Sequence, residues 1–297
     1  MSVSPIWPAG SAVNAEGEIT FHGRTAASLL DEFGSPLYVI DTDDVRARAT
    51  KFVHAASHAF NNTVTHVSFA GKALLSKEIC RIVTESGMLI DTCTMGEMRI
   101  ALAAGVPGRR LVLHGNNKSD AEIELAIEQG FNKIVIDEPD EPARIAAIAK
   151  RLGKRARVML RVTSGIHALT DVTPAGSNAR LGENAADAAD QAAHAGHAER
   201  KLQYDIKYPY DLSHEKVSEG DRKLADAMTM VADGPALAVL KDIYRRQDVL
   251  ELVGVHSHIG SNIHDADAFI QAAKRMMLLR KTFYATDAYT LPEVDLG

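Results

Sequence analysis

Short apolar runs recur along this chain at a nearly constant interval. They read HVSFAG (66–71), MLID (88–91), LVLHG (111–115), KIVID (133–137) and RVMLRV (157–162), with centres roughly every 22–24 residues. Each run is almost continuously apolar rather than alternating, as expected of parallel strands covered on both faces. Between them the apolar period becomes helical, and the helices carry their own boundary signals. Thr94 to Glu97 and Ser119 to Glu122 have the Ser/Thr-x-x-Glu form of a capping box, and Gly105 and Gly130 stand where those helices should stop. Pro142 and Gly153 bracket a third helix with proline at its start and glycine past its end.

A strand–helix repeat with short loops fits either a doubly wound open sheet or a (β/α)8 barrel. The even period, and the lack of a glycine fingerprint after the first strand, favour the barrel. LVGVHSHI (252–259) is its sixth strand and EVDLG (293–297) its seventh; there is no eighth. Two exposed edges would be costly, so the expectation is an α/β fold, a TIM-type barrel lacking its last strand or strands, in a truncated piece of a longer protein. Two segments fall outside the rhythm. Residues 1–42 precede the barrel, and SPLYVIDT (35–42) reads as a strand of its own. About 90 residues separate the fifth and sixth strands, far beyond a usual loop, which places an insert at about 171–249. Within it, NAADAADQAAHAGHAERK (184–201) reads as a helix or a loop more readily than as a metal site.

Composition narrows the classes. The chain has 297 residues, 46% hydrophobic and 24% charged, with a formal net charge of -6. That balance carries no basic footprint for nucleic acid. The N-terminus lacks a signal-peptide pattern, and no apolar run reaches membrane-spanning length, so a cytoplasmic protein without a membrane partner is expected. Two cysteines, Cys80 and Cys93, form neither a disulfide framework nor a metal-type spacing, and both are expected as reduced, buried thiols.

Chemistry in such barrels belongs to the C-terminal ends of the strands. There the chain places Lys72, Asp91, His114 with Asn116, Asn117 and Lys118, then Asp137, Arg161, His258 with Ser261, and Gly297. Asp91 and Arg161 could equally form a structural ion pair, and His256 could be a core histidine. A partly desolvated lysine in a barrel mouth suits Schiff-base chemistry with an aldehyde. A histidine at strand height can stack on a planar ring, and Gly260 and Ser261 can offer an N–H and a hydroxyl to a phosphate. Ring, aldehyde and phosphate together describe pyridoxal phosphate, with no metal.

FGSPLYVIDTDDVRARA, VSFAGKALLS, GMLIDTCTMGEMRIALAAG, LVLHGNNKSDAEIELAIEQG, LRVTSGIHA, VGVHSHIGSNI and EVDLG resemble the diaminopimelate decarboxylases, which are alanine-racemase-like, fold type III pyridoxal phosphate enzymes. The resemblance implies that Lys72 binds the cofactor covalently, His258 stacks on its ring and Ser261 helps hold its phosphate. Gly297 would open the phosphate loop, and Asp91 and Arg161 would line the pocket. It implies decarboxylation of meso-2,6-diaminopimelate to L-lysine in a homodimer of the full-length form. It also implies that residues 1–42 pack against a C-terminal β-domain, with 43–297 as the cofactor-binding barrel. A chain of this length is expected to be inactive and poorly stable alone. The alternatives are a decarboxylase of ornithine, arginine or carboxynorspermidine, and a non-catalytic homologue that binds a partner.

Overall fold

The computed structural model describes residues 6–138, 140–164, 228, 231–232, 234–260, 263 and 266–297. The chain divides into two units, Met1–Leu111 and Val112–Gly297.

The first unit opens with a small antiparallel sheet that the apolar period did not announce: β1 (Ser11–Val13), β2 (Ile19–Phe21) and β3 (Arg24–Thr25). Its turn is set by Asn14, whose side-chain oxygen accepts the Glu18 N–H at 2.8 Å. Helix α1 (Ala26–Phe33) is capped by Thr25, and α2 (Thr42–Ala59) by Asp41, whose carboxylate accepts the N–H groups of Asp43 and Asp44. The expected strand at SPLYVIDT is not formed: residues 37–40 belong to neither helix nor strand, and Tyr38 is exposed. An apolar run becomes a strand only when it finds an edge to pair with. Strand β4 (Ser68–Ala70), α3 (Lys77–Glu85), β5 (Leu89–Thr92) and α4 (Met95–Ala103) follow. β4 and β5 pair in parallel, with Ala70 opposite Asp91. Helix α3 buries Ile79, Cys80, Ile82 and Val83 along one face. Cys80 is buried as expected; Cys93 is exposed, because it lies in the turn between β5 and α4 rather than on either.

The second unit repeats the motif: β6 (Leu111–Leu113, across the boundary), α5 (Asp120–Glu128), β7 (Lys133–Ile136), α6 (Glu141–Leu152), β8 (Ala156–Arg161), α7 (Pro235–Arg245), β9 (Leu250–His256), α8 (Ala266–Asp287) and β10 (Glu293–Asp295). The strands from β6 to β10 lie side by side in chain order, all parallel. Both capping boxes form as read, at Thr94/Glu97 and at Ser119/Glu122. Gly153 closes α6 in the left-handed conformation at φ 61°.

The two ends of these strands differ in chemistry. At the N-terminal ends, Arg157 bridges Glu251 at 3.3 Å and Glu293 at 3.0 Å, and Lys133 also meets Glu293. These four charges come from β7, β8, β9 and β10, so they tie the strand starts together. At the C-terminal ends the register sets Arg161 opposite His256 and His256 opposite Asp295. Three strand tips therefore finish level, and their last side chains form one polar rim. In such folds the N-terminal rim serves stability and the C-terminal rim serves chemistry.

Candidate active site at the strand ends

In the first unit, Lys72 lies in a turn just past β4, closed by the Ala73 N–H donating to the Ala70 carbonyl at 3.0 Å. Gly71 makes that turn possible. Its N–H donates to the Asp91 carbonyl at 3.0 Å, and a Cβ at 71 would come within 2.6 Å of the same oxygen. Lys72 is exposed, where partial desolvation was expected, because the turn carries it beyond the last paired residue of the strand. Asp91 sits on β5 opposite Ala70, half-buried, and accepts the Ser68 hydroxyl.

In the second unit, Arg161 ends β8 and finds its carboxylate partner in Asp137, at 3.1 Å; Asp137 is buried just past β7. The two histidines of HSHIG separate. β9 ends at His256, which is buried, whereas His258 lies beyond the strand and is exposed. The shared face of alternate residues holds only while the chain is a paired strand. His114, past β6, meets His256 edge to face with ring centroids 5.1 Å apart. Gly297 packs on His258 so closely that a Cβ would lie 2.9 Å from the Ser257 carbonyl and 3.0 Å from His258 Nδ1. Its φ of +82° also favours glycine. Ser257 keeps a buried hydroxyl without a hydrogen-bond partner between the two histidines. Ser261 lies outside the described residues, as does the tract at 184–201.

Two pairs were not singled out from the sequence. The ammonium of Lys118 lies 2.8 Å from Glu141 Oε1, and neither side chain reaches solvent. Lys118 also donates to the Gly115 carbonyl, and Glu141 accepts the Asp137 N–H at 2.8 Å. The pair thus clasps the loop after β6 to the loop after β7. Burial pushes the Glu141 carboxyl up, against the opposing pull of Lys118 and the backbone N–H groups. The second pair is His256 with Asp295, 3.2 Å apart. Nothing in the spacing of these residues connects them; only the parallel register does.

The first unit presents an exposed amine, Lys72, of the kind that attacks a carbonyl carbon. The strand ends of the second unit present an exposed imidazole with a glycine-only seat beside it, and a half-buried arginine held by a buried aspartate.

Comparison with known proteins gives this arrangement a lineage. Residues 44–203 and 230–297 match the family described as pyridoxal-dependent decarboxylase, pyridoxal binding domain. The diaminopimelate decarboxylase of Mycobacterium tuberculosis is 32% identical over 296 residues, covering 98% of this chain and 55% of that protein. The Mycobacterium leprae enzyme of the same name is 34% identical over 274 residues, covering 92% of this chain and 48% of its own length. The chain thus spans about half the length of the curated relatives it matches. Among solved structures, diaminopimelate decarboxylase from M. jannaschii superposes with a TM-score of 0.72 at 22% identity, over 97% of this chain and 56% of that one. That likeness establishes the fold: the incomplete (β/α)8-type barrel expected from the strand period.

Proposed function

The chain belongs to the pyridoxal-dependent decarboxylases through their pyridoxal-binding domain, and from that premise we propose that it is the cofactor-binding part of a diaminopimelate decarboxylase. The reaction is the decarboxylation of meso-2,6-diaminopimelate to L-lysine and CO2 with pyridoxal 5'-phosphate. The observation that carries the reading is the Gly297 seat against His258. Only glycine fits there, and an exposed imidazole stands beside it.

The residues suit the cofactor. Lys72 supplies the amine for the aldehyde, on a turn pinned by Gly71 to the Asp91 carbonyl. His258 offers an imidazole face to the ring, and Gly297, with no Cβ, packs directly against it. Arg161, anchored by Asp137, and Asp91 supply charge to the pocket. The family resemblance assigns the Ser261 hydroxyl to the phosphate. Bound there, the cofactor supplies the electron sink that lets a substrate carboxylate leave as CO2. The protein's part is to hold the ring and orient the scissile bond. The two mycobacterial relatives carry the diaminopimelate name, whereas the lysine/ornithine decarboxylase of Vibrio vulnificus, 17% identical, shares the fold alone. Residues 1–42 are read as the segment that packs with a C-terminal β-domain in the longer relatives, and 43–297 as the barrel. The full-length form is read as a cytoplasmic homodimer with an amino-acid substrate and neither nucleic-acid nor membrane partners. Among the described residues no helix is long and apolar enough to cross a membrane.

The test is reductive trapping. The chain is mixed with pyridoxal phosphate, reduced with borohydride, digested and weighed. A stoichiometric pyridoxyl group on Lys72, lost in Lys72→Ala, is expected. A folded chain that carries no adduct at Lys72 would overturn the assignment.

A further inference from the structure

Strands β9 and β10 end side by side, and their last paired residues are a histidine and a carboxylate. His256 is 4% exposed and stands opposite Asp295. Its Nδ1 lies 3.2 Å from Asp295 Oδ1. The same oxygen accepts the Gly297 N–H at 3.0 Å, and the Asp295 carbonyl accepts the Ser257 N–H at 3.0 Å. One residue therefore reaches the end of β9, the backbone just beyond it, and the glycine that follows β10. Two of those attachments flank His258. Gly297 in turn rests on His258, in a seat that no other side chain could occupy.

The electrostatics agree with this geometry. Burial pushes the Asp295 carboxyl up, but the His256 imidazole, the Gly297 N–H and the charge of His114 outweigh it and hold the group well below the ordinary carboxylate range. The residue is thus an anion at any working pH, and its contacts are charge-assisted. The Gly297 N–H, already taken by Asp295, is not the group that would meet a phosphate; what Gly297 contributes is close packing of the chain against His258.

We infer that Asp295 is a positioning residue. Through His256 and the Gly297 N–H it fixes His258 and Gly297 against each other, so that ring and phosphate of the cofactor meet a preformed surface. This rests on the pyridoxal phosphate reading above. It assigns Asp295 and His256 a task distinct from contact with the cofactor: they set the spacing between two residues that make contact.

The experiment uses the whole 297-residue chain. Pyridoxal phosphate affinity is measured by equilibrium dialysis, and the induced circular dichroism of the bound cofactor reports the orientation of its ring. Asp295→Ala should weaken binding roughly tenfold and change the induced band, with the far-ultraviolet spectrum unchanged. Asp295→Asn keeps the shape and an acceptor for Gly297 but not the charge, and should fall between the two. Adding His256→Phe to Asp295→Ala should cost little more, since both remove one linkage. Parental affinity together with a parental induced band in Asp295→Ala would overturn the inference while leaving the function standing. Should Asp295→Ala not fold, the same comparison on Asp295→Asn decides it. A folded parent chain that takes up no pyridoxal phosphate would overturn the function and the inference together.

Discussion

Single residues in this chain join parts that are distant in sequence, and the joints have measurable costs. Asp41 caps α2, accepts the Gly10 N–H at 2.9 Å and faces His22 Nε2 at 3.1 Å. The backbone N–H of Asp44 and those other contacts lower its carboxyl from 3.8 to about 2. Its contribution is therefore complete above the ordinary value and is lost as pH falls from about 3.8 toward about 2. His22 is raised above 6.5 by the same pairing, so its contribution is present below that value and fades as pH rises through the raised one. Thermal melts across the acid range should show a limb that Asp41→Asn flattens, and Asp41→Ala should cost about 1 kcal/mol as a lost cap. The Lys118–Glu141 pair is fully buried. Lys118→Met alone strands a carboxylate and should cost about 3–5 kcal/mol in urea unfolding, while the double change Lys118→Met with Glu141→Leu should recover most of it. Near-additive costs for the two single changes would contradict the coupling.

At the scale of elements, the helices were legible because their signals are local. A capping box needs four residues and a C-terminal glycine needs one, so neither depends on the rest of the fold. Strands behave differently. VMLR became β8 because β7 and β9 flank it, whereas LYVI, equally apolar, stayed unpaired. Gly254 marks a close approach of β9 to β10: a Cβ there would lie 2.1 Å from the Glu293 carbonyl. Gly254→Ala should push β10 from β9 and cost about 1–3 kcal/mol, with reduced amide protection at Val294 by hydrogen exchange. Unchanged protection would mean that the β9–β10 pairing is not set by this contact. Glu293→Gln, at the opposite end of the strands, should lower stability while leaving pyridoxal phosphate affinity intact, because its partners Lys133 and Arg157 lie at the strand starts.

For the whole molecule, the chain corresponds to about half of its curated relatives. On the proposed function it should bind the cofactor. Saturating pyridoxal phosphate, at about a hundred times its dissociation constant, should add roughly 2.7 kcal/mol to the stability of the folded chain.

The fold class was legible because parallel strands covered on both faces must be continuously apolar, and helices between them must show the 3.6-residue period. The capping boxes and Gly153 follow from the same local rules. The residues past those ends were legible as polar interruptions of apolar runs, which is how Lys72, Asp91, Arg161, His258 and Gly297 came to notice. Pairing was not legible. That Arg161 faces Asp137, that Lys118 faces Glu141, and that His256 faces Asp295 follow from parallel register, which joins residues separated by whole helices. The contrast between a buried His256 and an exposed His258 was decided by where β9 stops pairing, and only the neighbouring strands determine that. Sequence sets periodicity and caps through contacts a few residues apart; tertiary structure sets partners, because charge and burial act through space.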